Sequence, residues 1–202
     1  MRIYTRKGDD GTTGLLYGGR VGKDSPRIEV NGVVDEAQAA LGMARAEAEP
    51  GSALDDLLVG LERDLYVLMA EVATAPEGRD RLVAGASLVT PEMVVALEER
   101  IDELTAQIEI SNEFVVPGGN RRAAALDLAR TVVRRAERAW VALPGSTTDD
   151  ASQVGSYLNR LSDLVWTMAR WQEGDRHLEA PTRPRRGRRV SGGGETPGGT
   201  DG

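Results

Sequence analysis

The chain has 202 residues, 40% hydrophobic and only 4% aromatic, with 24 glycines, one histidine, no cysteine and a formal net charge of −7. That length supports one domain with a sizeable core plus a tail, and an apolar load carried by Ala, Leu and Val favours close helix packing over a β-sandwich. Disulfides and cysteinyl metal sites are excluded; the lone His177, close to the tail, argues against a histidine-based triad or metal site; and the acidic balance argues against general nucleic-acid binding.

The first element in chain order is a glycine-rich segment over residues 1–25. Gly8, Gly11, Gly14, Gly18, Gly19 and Gly22 alternate with Thr5, Arg6, Lys7, Thr12, Thr13, Arg20 and Lys23. Glycine lets backbone N–H groups turn toward a ligand, and hydroxyls and cations complete an anion cradle. No strand run precedes the segment, so it is not a Rossmann turn. Gly22-Lys23-Asp24 lacks the Ser/Thr that follows in a Walker A loop and the glycine five residues earlier. A phosphate cradle and a frayed terminus both remain open, although Ile3, Tyr4, Leu15, Leu16 and Tyr17 sit oddly in a frayed terminus.

Five amphipathic helices follow. Val30, Val33, Val34, Ala37, Leu41 and Ala44 recur at helical spacing after Pro26. A second helix fits Leu54 to about Ala75 and is broken by Pro76 and Gly78. Thr90-Pro91-Glu92 reads as an N-cap, a first-turn proline and an acidic first turn, opening a third helix through Val94, Leu97, Ile101, Leu104 and Ile108. Phe114 to Gly119 is a short apolar stretch closed by a turn. The fourth helix runs from about Asn120 to Ala142, and the fifth from about Asp149 to Trp171. Short connections between long helices predict an all-α, antiparallel five-helix bundle over residues 1–173, of the ferritin-like kind. From residue 174 to 202 the composition turns to Arg, Pro and Gly, and a disordered basic tail is expected. Its arginine run reads as a solvated tail, with contact to acidic partners or nucleic acid as the alternative. No apolar run approaches membrane-spanning length and no apolar h-region opens the chain, so a cytoplasmic protein without membrane or nucleic-acid partners is expected.

Four places carry candidate chemistry. Arg130, Arg134 and Arg138 fall at i, i+4 and i+8 along the fourth helix, with Arg135 beside the stripe and Glu137 able to pair with Arg134. Like charges four apart repel by a few tenths of a kcal/mol. Such a stripe is either a solvated face or the seat of an anion suited to arginine's planar fork. Asp35, beside Val33, Val34 and Ala37, is either a partly buried acid that needs a cation or a surface acid. Asn159, near the core edge in the fifth helix, has either a specific side-chain hydrogen bond or a purely structural one. Phe114, the only phenylalanine, is either a core plug or a wall for a flat ligand.

The ordered blocks YTRKGDDGTTGL, Lys23, VVDEAQAALG, FVVPGG, RTVVRRAER and SYLNRLSDLVWTMAR resemble the PduO-type ATP:cob(I)alamin adenosyltransferases, over about Arg2 to Trp171. The resemblance implies a homotrimer with active sites between subunits, and transfer of the 5′-deoxyadenosyl group of ATP to the cobalt of cob(I)alamin with release of triphosphate. It implies ATP contacts from Thr5, Arg6, Lys7, Gly8, Thr13, Gly14 and Lys23, and from Arg134, Arg135, Glu137, Arg138 and Asn159. Asp35 and Arg130 match a salt bridge across the subunit interface. Phe114 matches an aromatic that displaces the corrinoid's lower axial ligand, leaving a four-coordinate Co(II) that is easier to reduce. Arg134, Phe114, Asp35 and Arg130 are thus the implied catalytic set. Mg²⁺ is expected on the phosphates, held by phosphate oxygens and water, and no protein metal-ligand set is expected. A flavin reductase and an adenosylcobalamin-dependent mutase are the implied protein partners. The loop departs from the family's T-G-D-x-G pattern, because Lys7 puts a cation where a hydroxyl is usual. The alternative from a different class is a non-catalytic ATP sensor or cofactor-delivery bundle.

Overall fold

The structure is a computed structural model that describes residues 3–110, 113–146, 152–174 and 178–180. It is mostly helical. The long elements are α1 (Pro26–Ala46), α2 (Ala53–Val72), α3 (Pro91–Thr105), α4 (Arg121–Ala142) and α5 (Val154–Glu173). Two antiparallel ribbons accompany them: β1 (Thr12–Gly14) with β2 (Arg20–Gly22), and β3 (Phe114–Val116) with β4 (Leu178–Ala180). Among the described residues no helix is long and apolar enough to cross a membrane.

The helix boundaries follow local chemistry. Ser52, Thr90 and Asn120 each accept a backbone N–H from the first turn of α2, α3 and α4, satisfying one of the donors a helix start leaves unpaired. Helix α2 stops at Val72, three residues short of the expected Ala75, because Arg27 at the start of α1 takes the Val72 and Thr74 carbonyls at 2.7 and 2.9 Å. A 3-10 turn, Pro76–Arg81, then follows the break set by Pro76. The expected start of α5 at Asp149 lies outside the described residues.

The apolar stripes meet in one core, in which Leu41, Leu58, Leu65, Leu68, Leu126, Leu158, Leu161 and Met168 are fully buried. Helix α1 packs on α2 and α4, α4 on α5, and α5 on α3. Contacts at the tips give the directions. The start of α1 meets the end of α2 through Arg27, and Ser152 before α5 donates to Glu71 near that same end at 2.7 Å. At the opposite end, Asn120 before α4 donates to the Gln172 carbonyl at 2.7 Å. Successive helices therefore alternate in direction, as expected. With α1, α3 and α5 pointing one way, one of the packed helix pairs is parallel. Here it is α3 and α5, where Glu98 faces Arg160 and Asp102 and Thr105 face Asp163 and Thr167.

Two expectations need correction. The glycine-rich segment is a docked hairpin, not a loop throughout. Tyr17, Gly18 and Gly19, all at positive φ, reverse the chain. The Leu16 N–H donates to the Ala73 carbonyl at 2.9 Å, and Arg81 donates to the Tyr17 carbonyl at 3.2 Å, which ties the hairpin to the end of α2. The tail boundary also shifts. Leu178–Ala180, inside the segment expected to be disordered from residue 174, pairs with Phe114–Val116. A three-residue strand is invisible to composition averaged over a long window. Residues 181–202 and His177 lie outside the described residues.

Candidate active site

The N-terminal half of the site is organised by Arg20. Its guanidinium donates to the Lys7 carbonyl at 2.6 Å and to Thr12 Oγ1 at 2.5 Å from Nη2, and it approaches Asp10 at 3.5 Å. Asp10 in turn accepts from the Thr12 N–H and hydroxyl, at 2.9 and 2.8 Å. These bonds hold its carboxyl below the usual carboxylate range, the Thr12 backbone bond contributing most. The turn that carries Thr5, Arg6, Lys7 and Gly8 is thus closed onto β1, where Thr13 and Gly14 lie. Lys23 folds back over Gly8: a Cβ at Gly8 would lie 3.1 Å from its Nζ and 3.1 Å from the Thr12 carbonyl. A side chain at residue 8 would have to push Lys23 or the Thr12 carbonyl back by a few tenths of an ångström. Arg6 adopts φ +60° and stacks over the Tyr4 ring at 5.6 Å.

The second half lies on α4. Arg134 and Arg138 are exposed and, among the described residues, make no hydrogen bond or ion pair. The expected pairing of Glu137 with Arg134 is not made. Glu137 accepts instead from Asn159 Nδ2 at 2.9 Å, and Asn159 Oδ1 accepts from Arg160 at 2.6 Å. Asn159 therefore does have a specific partner, and it joins α5 to α4. Arg135 pairs with Glu36 of α1. Among the described residues nothing joins the N-terminal hairpin to Arg134 or Arg138 within the protomer.

Arg130, at the foot of the stripe, shares a cavity of about 490 Å³ with Phe114. Phe114 is 74% exposed, so it is not a core plug. Residues not singled out from sequence complete this pocket: Glu113, Asp127, Trp166 and Arg170. Asp127 and Arg170 are joined at 2.6 Å, and Arg130 Nε lies 3.8 Å from Asp127. A readable signal existed, since Asp127 precedes Arg130 by one turn and Trp166, Arg170 and Glu173 are spaced to share one face of α5. Asp35 is exposed in the protomer and is not the partly buried acid of the first alternative. A slightly larger cavity, about 530 Å³, opens between α2 and α3 around Asp64 and Trp171. It contains none of the stripe or hairpin cations.

The cobalamin adenosyltransferase family pattern matches residues 3–172. The chain belongs to this family. Among its relatives, a corrinoid adenosyltransferase of Citrobacter freundii is 41% identical over 172 residues, covering 85% of this chain and 95% of its own length. One from Bacillus subtilis (strain 168) is 40% identical, covering 84% and 86%. Of the solved structures, a Phe-to-Ala variant of a PduO-type ATP:corrinoid adenosyltransferase from Lactobacillus reuteri, complexed with cobalamin and ATP, superposes with a TM-score of 0.78. It is 28% identical and covers 91% of this chain and all of its own.

Proposed function

We propose that the chain transfers the 5′-deoxyadenosyl group of ATP to the cobalt of cob(I)alamin, forming adenosylcobalamin and releasing triphosphate. The observation that carries this reading is the arrangement on α4. Arg130 shares a pocket with exposed Phe114, and the next two stripe arginines, Arg134 and Arg138, pair with no anion among the described residues. The reduced cobalt supplies the electron pair for the new Co–C bond, the C5′–O bond breaks, and the pair leaves on triphosphate. No Ser, Cys or His nucleophile is required, which suits a chain with one histidine and no cysteine.

What the protein supplies is charge and position. Arg134, Arg135, Arg138, Arg6, Lys7 and Lys23 stabilise the growing charge on the triphosphate, and Thr5, Gly8, Thr13 and Gly14 offer hydroxyl and backbone contacts. Glu137 holds Asn159 toward the nucleotide. Phe114 is the wall against the corrinoid. Mg²⁺ would be held by the phosphate oxygens and water and would share the neutralisation of the triphosphate charge with these cations.

The active form is a homotrimer, in which the hairpin of one protomer meets the stripe of its neighbour and Asp35 reaches Arg130. Supporting this, among the described residues no hydrogen bond or ion pair joins the hairpin to Arg134 or Arg138 within one protomer, and Met43, Leu128 and Val141 on α1 and α4 are more than half exposed. The protein works in the cytoplasm, alongside a flavin reductase and an adenosylcobalamin-dependent mutase. The test is a spectroscopic assay with ATP, Mg²⁺ and chemically reduced cobalamin. Appearance of adenosylcobalamin is expected. ATP binding without turnover would replace this reading with that of a sensor or delivery bundle.

A further inference from the structure

Beneath the Phe114 pocket runs an alternating row of charges: Arg130, Asp127, Arg170 and Glu173. Arg170 Nη2 donates to Asp127 Oδ2 at 2.6 Å, and its Nε lies 2.9 Å from Glu173 Oε2. Asp127, Arg170 and Glu173 are each less than a tenth exposed. The row is neutral overall, but removing such charges from water is expensive, and an apolar set of the same volume is often as stable. Stability is therefore a poor reason for it.

Its hydrogen bonding is also incomplete. Arg130 Nε is buried without a hydrogen bond among the described residues, and Arg170 Nε and Glu173 Oε2 are ion-paired at 2.9 Å without the alignment of a hydrogen bond. Purely structural networks tend to be fully satisfied, and unsatisfied buried groups collect where function constrains geometry.

Both ends of the row reach the site. At one end Glu173 Oε1 accepts the Gly119 N–H at 3.3 Å, and a Cβ at Gly119 would lie only 2.9 Å from that oxygen. Gly119 closes the turn that follows the Phe114 strand. At the other end Asp127 Oδ1 faces Arg130 at 3.8 Å, while its second oxygen is taken by Arg170. Arg170 also lies over the Trp166 ring at 5.7 Å, so its guanidinium plane is fixed from above and from both sides.

We infer that Arg170, with Asp127 and Glu173, is a positioning residue: it locks the Phe114 turn and the Arg130 side chain into one arrangement, so that the aromatic wall and the foot of the arginine stripe act on the corrinoid together. This rests on the adenosyltransferase reading.

The test compares wild type with Glu173→Gln, which keeps the shape, and Arg170→Met, which keeps the length. ATP affinity, the four-coordinate share of bound cob(II)alamin by electron paramagnetic resonance, and turnover are measured on the full chain. Both variants should keep ATP affinity within about threefold and lose about tenfold or more in turnover, with the four-coordinate signal falling in step. Arg170→Lys, which reaches one acid at a time, should recover part of the signal. Wild-type signal and turnover in Glu173→Gln would overturn the inference, as would equal loss of ATP affinity and signal in both variants. If Arg170→Met does not fold, Glu173→Gln decides alone. A wild-type chain that makes no adenosylcobalamin would instead overturn the functional reading beneath it.

Discussion

Replacing Arg134 by Ala separates a catalytic cation from a structural one. Arg134 is exposed, so truncation removes no hydrogen bond or ion pair among the described residues. Its neighbours along the stripe are Arg130 and Arg138, one turn away on each side. Relieving two like-charge pairs returns a few tenths of a kcal/mol each, so stability should stay level or rise by up to about 0.5 kcal/mol. For a chain of this size that is a melting-temperature change of about 2 °C or less. Catalysis should respond very differently. Losing one preorganised donor to a charge that grows in the transition state costs about 3–4 kcal/mol, or roughly 10²–10³ in kcat. The assay follows adenosylcobalamin by absorbance at saturating ATP and Mg²⁺, with thermal unfolding and subunit assembly measured on the same samples. Turnover within about threefold of wild type would refute the role of the stripe. A fall of more than about 5 °C would refute the claim that this arginine is structurally free.

Three further outcomes follow from other parts of the molecule. Gly8→Ala should displace Lys23 from its place over the turn and raise the KM for ATP by about tenfold with little change in stability; an unchanged KM would remove Lys23 from the nucleotide site. Burial raises the Asp64 pKa, partly offset by the hydrogen bond from Tyr157 at 2.9 Å, so the folded chain holds that proton at higher pH than the unfolded one. Stability is then lost as pH rises from the unfolded value of about 3.9 through the folded one, and Asp64→Asn should gain melting temperature relative to wild type between pH 4 and pH 7; a gain that shrinks over that range contradicts this sign. Leu158→Ala, at a fully buried seam position of α5, should lose about 2–5 kcal/mol by denaturant unfolding, and a loss below about 1 kcal/mol would show that this seam is not part of the core.

Most of the helical frame was readable because long stripes of Ala, Leu and Val carry a strong 3.6-residue period, and because Thr90 and Asn120 are caps with a chemical reason. The ribbons were not readable. Three-residue strands have too few alternations to register, and β3 pairs with β4 across more than sixty residues of sequence. The arginine stripe was legible as a spacing, and Asn159 as a helix-disfavouring residue in mid-helix. Their partners were not, since sequence spacing along one helix says nothing about which helix stands opposite. Glu137 was assigned to Arg134 one turn away, yet α5 supplies Asn159 at hydrogen-bond distance. Asp127, Arg170 and Glu173 escaped for the same reason, because a buried ion row spread over two helices exists only after they pack.

The hairpin gives the candidate site two unequal walls. The stripe stands on a helix inside the cooperative core, whereas β1 and β2 have three residues each and contribute nothing fully buried. A two-stranded ribbon of that size is marginal by itself, and this one leans on the Leu16–Ala73 and Arg81–Tyr17 bonds. Its amides should therefore exchange with solvent through local opening, at a free energy far below that of global unfolding. A nucleotide that binds only the closed ribbon would slow exchange at Thr13 and Val21 while leaving the middle of α4 unchanged. Part of the intrinsic affinity would then be spent on ordering this wall.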